Sequence, residues 1–109
     1  LDRDSSSPET QAFISGFSKK AGYPADMVAA SGHTALLVVA DALKKAGSSD
    51  AAKLRDAISK TNLTASTGDI SFNSLGEVQK NVQVQIVKGG NWHHHSVISD
   101  PVLLAPPAK

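Results

Sequence analysis

The sequence lacks cysteine, long hydrophobic runs and an excess of charge of one sign. Without cysteine it forms no disulfide, thiolate nucleophile or cysteine-ligated zinc site, and either redox compartment suits it. The longest apolar run, Ala35 to Ala40, is far shorter than the roughly 20 residues that span a bilayer, so no transmembrane segment is predicted. Eleven Lys and Arg are interspersed with ten Asp and Glu without a basic stripe. Nucleic acid is therefore not expected as a partner.

The composition that remains is that of an ordinary globular chain. Its 109 residues are 40% hydrophobic and 19% charged, which is typical of an ordered domain and not of a disordered tail. The chain opens on Leu1 to Asp4 without a Met or a signal peptide. If the protein is exported, we expect its targeting segment to lie upstream.

The first predicted helix begins at a strong start signal. Ser7 stands in the N-cap position, Pro8 in the first helical position, and Gly22 follows the last turn. Apolar residues then fall on one face, so the helix is amphipathic; they are Phe13, Ile14, Phe17 and Ala21.

The second predicted helix is apolar on almost every side. It starts after Asp26 and runs from Met27 to Leu43, and a third helix follows from about Ser49 to Lys60. A helix that is apolar all round must be covered all round. The narrow apolar stripe of the third helix can cover only one side, so the second helix needs a further partner, most simply a sheet.

Strand patterns take over after Asn62. A short strand is predicted around Ile70 and Phe72, and a single long half-buried strand from Val78 through Val82, Val84 and Ile86. Gly89-Gly90-Asn91 turns the chain into a strand that begins at Trp92, which completes a hairpin. The tail after Val97 is predicted to be irregular.

These elements, three helices followed by a short strand and a hairpin, do not form a balanced fold. A two-stranded hairpin is marginal by itself and too small to cover the second helix. The imbalance predicts that the chain is a piece of something larger.

Two groups of side chains have the residue types of a chemical site. His93 and His95 on one face of a strand could share a metal, but no third ligand is assured, so no functional metal site is predicted. Ser31, His33 and Asp41 share one helix at spacings that cannot align a hydrolytic triad. We expect His33 to be a hydrogen-bonded packing residue and the protein not to be an enzyme.

Several stretches resemble one known family in unbroken order from about residue 8 to residue 93. The resemblance is to the type I periplasmic binding proteins for branched-chain amino acids. The matching stretches are Tyr23 to Ala35, Ala42 to Asp50, Leu54 to Ile58, Thr67 to Asn73 with Gly76-Glu77, and Val82 to Trp92.

The resemblance implies an α/β fold of two lobes joined by three chain crossings, with the ligand in the cleft between them. This chain would be the C-terminal part, incomplete without the upstream chain. Residues 1–80 would belong to the amino-terminal lobe, and residues 81–109, the hairpin and tail, to the second lobe. The crossing would lie near Gln79 to Gln83, and the upstream chain would supply the sheet that covers the second helix.

The resemblance also implies where a ligand binds. Family members commonly have an aromatic residue where this chain has Val28, and it lines the ligand pocket. A Val there would widen the pocket for a solute bulkier than leucine, such as an aromatic acid; alternatively, Val28 only packs against the sheet. The predicted ligand-binding residues are Val28, Met27 and Ser31.

The implied function is that of the periplasmic receptor of an ABC importer. It would bind a branched-chain or other hydrophobic amino acid, or an aromatic acid, and use no cofactor. Its partners would be the solute, the upstream part of the same protein and a membrane permease. The alternative is a ligand-binding sensor domain of the same fold.

Overall fold

The computed structural model describes residues 1–105, which form four helices and five strands. The helices are α1 (Pro8–Ala21), α2 (Met27–Ala46), α3 (Ala51–Ser59) and α4 (Pro101–Leu104). The strands are β1 (Asn62–Ala65), β2 (Gly68–Phe72), β3 (Val78–Gln79), β4 (Val82–Lys88) and β5 (Asn91–Ile98). The three predicted main helices and the predicted hairpin are therefore present.

The ends of α1 and α2 follow from local chemistry. The Asp26 side chain caps α2 by accepting a hydrogen bond from the Ala29 N–H at 2.8 Å. Gly47 ends α2 in the left-handed region at φ 62°, where a glycine has no Cβ to clash. Ser7 stands before α1 as predicted, but it does not cap the helix, because its hydroxyl donates to Glu9 Oε2 instead.

Helix α2 buries one narrow stripe. Its buried residues recur every four positions and pack against α3 and β1; they are Ala30, Thr34, Val38 and Ala42. At 20 residues, α2 is long and apolar enough to cross a membrane, a test that core helices also pass. Within the described residues one stripe of α2 is buried and the rest of the helix is exposed.

The first sheet is antiparallel, with β2 between β1 and β3. A tight turn joins β1 to β2, with Ala65 opposite Gly68, whose φ of 106° favours glycine. Strand β1 was not predicted, because Asn62 and Ala65 are poor strand formers. The prediction of one long strand from Val78 is wrong, since β3 and β4 lie in different sheets and Lys80 and Asn81 separate them.

The second sheet is the β4–β5 hairpin. Its turn uses Gly89 and Gly90, both with positive φ, as the hairpin prediction requires. The face with Val82, Val84 and Ile86 was predicted to be half-buried, but these side chains are exposed within the described residues. The prediction of an irregular tail is also wrong, because β5 runs to Ile98 and α4 follows; residues 106–109 lie outside the described part.

The hydrophobic core is small. Val38, Ala65 and Ile70 form it, with Ile58, Leu63 and Phe72 packed around them. No large side chain in residues 1–105 is fully buried. The radius of gyration, 15.6 Å, exceeds the value of about 13 Å expected for a compact domain of this length. The described residues therefore form an open arrangement with much apolar surface uncovered.

Candidate solute-binding site

A cavity of about 600 Å³ lies where α2 begins, where the chain passes from one sheet to the other, and beside the hairpin. We call it the crossing cavity. Its lining comes from five separate stretches of sequence: Leu1 and Arg3; Asp26, Met27, Val28 and Ser31; Thr67; Lys80, Asn81, Val82, Gln83 and Gln85; and Trp92. It is therefore formed by tertiary structure and not by one motif.

The three predicted ligand-binding residues all line this cavity. Met27 and Val28 lie in the first turn of α2, and Ser31 lies one turn later on the same side. Val28 is 72% exposed, so the described residues provide no sheet against which it packs. The roles of these three residues in ligand binding stay a prediction.

Apart from Met27, Val28 and Ser31, the lining residues were not recognised from the sequence as part of a site. Arg3, Lys80, Asn81 and Trp92 are among them, and only folding over long sequence separations brings them to the start of α2. The only available signal was the predicted chain crossing near Gln79 to Gln83. The change of sheet at Lys80 and Asn81 falls in that range, although the division into two lobes stays a prediction.

Three charged side chains line the cavity, and two of them, Arg3 and Asp26, have partners nearby. The Arg3 guanidinium donates to the Ala25 carbonyl at 2.9 Å, which fixes it beside the start of α2. Asp26 caps α2, so its carboxylate already satisfies a backbone N–H there. Lys80 lies on the crossing and forms no ion pair within residues 1–105. The cavity thus combines two cations and one carboxylate with an apolar wall.

A polar network holds the first residues of the chain against the hairpin beside the cavity. Gln85 Nε2 donates to the Leu1 carbonyl at 2.7 Å. The His94 N–H donates to Asp4 Oδ2 at 2.9 Å, and His93 Nδ1 lies 3.3 Å from the same oxygen. These two contacts, the backbone one first, lower the pKa of the Asp4 carboxyl.

The histidine run does not bring His93 and His95 together as the strand pattern suggested. His94 pairs with Gln85 and Ser96 with Val84, so His95 is the extra residue of a β-bulge that interrupts the alternation of side chains. His95 Nδ1 contacts the Ser96 hydroxyl at 3.1 Å instead. Across residues 1–105, no group of three His, Asp or Glu side chains has the geometry to hold a metal. That the histidines hold no functional metal stays a prediction.

The candidate triad residues are dispersed. Ser31 lines the crossing cavity, whereas Asp41 pairs with Lys45 at 3.0 Å. The His33 ring packs on Phe13, with ring centroids 4.8 Å apart. The prediction of a hydrogen-bonded packing residue is met only in part: the His33 ring contacts Phe13, but His33 is exposed and, within the described part of the chain, its ring has no hydrogen-bond partner.

Comparison with known proteins identifies the class. Residues 2–91 match the family described as periplasmic binding protein. The chain therefore belongs to the periplasmic binding proteins, a family of solute-binding proteins that are not enzymes. Comparison with curated proteins gives no match.

Three solved structures are similar to this chain. The leucine binding protein LivK from Thermotoga maritima MSB8 is 33% identical, with a TM-score of 0.78 over 88% of this chain. An ABC transporter solute-binding protein from R. palustris, in complex with benzoate, is 21% identical, with a TM-score of 0.80 over 89%. An ABC-type branched-chain amino acid transporter from Rhodopseudomonas palustris CGA009 is 18% identical, with a TM-score of 0.75 over 88%.

These likenesses confirm the predicted fold class and the resemblance to the branched-chain amino acid type. The two less similar structures support the fold alone. In all three comparisons this chain spans 28% of the length of the other chain. It is therefore one part of an α/β fold of the type I periplasmic binding proteins.

Proposed function

We propose that this chain forms part of the extracytoplasmic receptor of an ABC importer, located in the periplasm. The receptor binds a hydrophobic amino acid or an aromatic acid between two lobes. The observation that supports this is the crossing cavity, in which Met27, Val28 and Ser31 lie together beside the change of sheet. Ligand crevices in α/β folds commonly lie at helix N-termini of this kind.

The lobes in this proposal are those predicted from the resemblance. Residues 1–80 belong to one lobe and residues 81–109 to the other, with Lys80 and Asn81 at the crossing. A solute that contacts both sides of the crossing binds the closed arrangement better than the open one, and so shifts the population toward it. The membrane permease then receives the closed form. The receptor needs no cofactor and catalyses no reaction.

The upstream part of the same protein is the first partner. The outer face of α2 exposes Leu36, Val39 and Leu43 at 72%, 39% and 38%, and a groove beside α2 is lined by Val38, Ile70 and Phe72. Similar structures are more than three times as long as this chain. We infer that the sheet of the amino-terminal lobe covers this surface.

The test is solute binding by the complete protein carrying Val28→Tyr. The new ring fills the space beside the first turn of α2, and overpacking of that kind costs about 1 to 3 kcal/mol, or roughly ten- to a hundredfold in affinity for a bulky solute. Calorimetric titration measures the affinity. The control is Val102→Tyr in α4, which is 82% exposed and does not line the cavity.

The two variants separate a pocket role from a packing role. The proposal expects Val28→Tyr to weaken solute binding while Val102→Tyr leaves it unchanged, with both melting temperatures near that of the parent. A loss of stability without any change of affinity would place Val28 in the core and contradict the pocket assignment.

A further inference from the structure

We propose that Trp92 is a second apolar wall of the crossing cavity, and that the apolar part of a bound solute packs between its indole and the first turn of α2. This inference rests on the proposed solute-binding function and adds to it a residue that determines the fit of the solute. Trp92 lies in β5 of the second sheet, whereas Met27 and Val28 lie in α2, which packs on the first sheet. The three side chains therefore line one cavity from either side of the change of sheet.

The pairing of the hairpin places Trp92 on the face that meets the cavity. Trp92 pairs with Val87, and His94 pairs with Gln85, so these four side chains share one face of the hairpin. Gln85 and Trp92 line the cavity from this face, whereas Ile86 on the opposite face does not line it.

The neighbours of Trp92 on this face are polar and are held by the first residues of the chain. Gln85 Nε2 donates to the Leu1 carbonyl at 2.7 Å, and His94 Nδ1 lies 3.0 Å from Asp2 Oδ2. Two polar side chains on one face indicate that this face is directed toward water or a ligand and not into a hydrophobic core. A large apolar ring among such neighbours at a cavity is typical of a ligand contact.

The two apolar walls have much surface that a solute can cover. Trp92 is 53% exposed, and Val28 is 72% exposed. Among the described residues that line the cavity, Trp92 is the only aromatic one. Covering the exposed part of an indole removes on the order of 100 Å² of apolar surface from water, which corresponds to roughly tenfold or more in affinity. A solute that contacts both walls binds best when they are close together, so Trp92 also favours the closed arrangement.

The first experiment measures affinity in the complete protein by calorimetric titration with leucine, phenylalanine and benzoate. Trp92→Ala should weaken binding of the tightest of these probes roughly tenfold or more, whereas Trp92→Phe should retain most of the affinity because a ring remains. Val87→Ala is the control, since Val87 pairs with Trp92, is 55% exposed and does not line the cavity. It should bind the probe as the parent does.

A double-mutant cycle with Val28→Tyr tests whether the two walls contact the same solute. Trp92→Ala should remove part of the affinity loss that Val28→Tyr causes, because the released space accommodates the displaced solute, whereas independent sites have additive effects. Unchanged affinity in a folded Trp92→Ala protein overturns the inference and leaves the proposed receptor function intact. Absence of binding by all three probes in the parent counts against both.

Fluorescence tests the same contact while Trp92 is still present. Trp92 is the only tryptophan of this chain, and the difference between the emission of the complete parent and that of its Trp92→Phe variant isolates the Trp92 signal. A saturating probe should shift this signal to shorter wavelength, because the solute replaces water at the indole. A Trp92 signal that does not respond to the bound probe would overturn the inference, even if Trp92→Ala failed to fold.

Discussion

The two faces of α2 differ in the size of their side chains. The larger apolar side chains are on the exposed face, whereas a helix of a globular protein usually buries them. The inner face, packed on α3 and β1, consists of the small or medium residues Ala30, Thr34, Val38 and Ala42, which are 0% to 8% exposed. The outer face has the larger residues Leu36, Val39 and Leu43, spaced as neighbours on one side of a helix.

The outer face of α2 has no packing partner among the described residues. Small side chains allow α3 and β1 to approach closely, but they bury little apolar area. The side chains that could bury the most area are on the uncovered face, and exposed patches of that kind mark contact surfaces. The structure of this chain thus depends on cover that its own described residues do not supply.

The largest expected effect is the failure of residues 1–109 to fold as an isolated chain. The small core of Val38, Ala65 and Ile70 cannot offset the ordering of the chain while the outer face of α2 stays in water. Circular dichroism during heating should show no cooperative transition, whereas the complete protein should show one. A cooperative melt of the monomeric chain would contradict the inference of a missing cover.

The next largest expected effect is on the free energy of unfolding of the complete protein, and it compares the outer and inner faces of α2. Leu36→Ala should lower the free energy of unfolding by about 2 to 5 kcal/mol, because the covering sheet buries Leu36. Val38→Ala on the inner face removes fewer carbon atoms and should cost less. The order is the reverse of what the exposures in this chain, 72% and 8%, would suggest.

Denaturant unfolding measures both variants. Leu103→Ala serves as the control, since Leu103 lies in α4 and is 70% exposed; its cost should be within about 0.5 kcal/mol, as for ordinary surface changes. If Leu36→Ala behaved like Leu103→Ala, the outer face of α2 would be a solvent-facing surface and the proposed cover would be wrong.

Much of the fold could be predicted from local signals. Asp26 and Gly47 mark the ends of α2, and Gly89-Gly90 marks the hairpin turn, because capping and positive φ are properties of one short stretch. The change from β3 to β4 could not be predicted in the same way. Gln79, Lys80 and Asn81 include no Gly or Pro that would mark the end of a strand, so the separation of β3 from β4 follows only from their tertiary pairing.

The residues of the site also divide into those with a local signal in the sequence and those without one. Val28 and its neighbours could be proposed because they lie in one helical turn that resembles a known family. Arg3, Lys80 and Trp92 join them only through folding over long sequence separations. Their residue types give no signal by themselves, since isolated lysines and arginines are common on every surface.

The smallest expected effect concerns the hairpin. Polar contacts attach it to the first residues of the chain, whereas α2 depends on apolar packing. Asp4 accepts from the His94 N–H and contacts His93, and these contacts lower its pKa. A carboxyl with a lowered pKa in the folded protein stabilises the fold above its unfolded pKa of about 3.9, and this contribution is lost as the pH falls through the folded value.

Asp4→Asn in the complete protein should therefore lower the melting temperature slightly at pH 7, and the difference from the parent should shrink below about pH 4. Melting curves from pH 3 to pH 7 measure this, with Asp69→Asn in β2, where Asp69 accepts from the Thr64 hydroxyl, as a carboxyl control away from the hairpin. A difference that stayed constant across this range would show that the Asp4 carboxylate charge does not help to hold the hairpin.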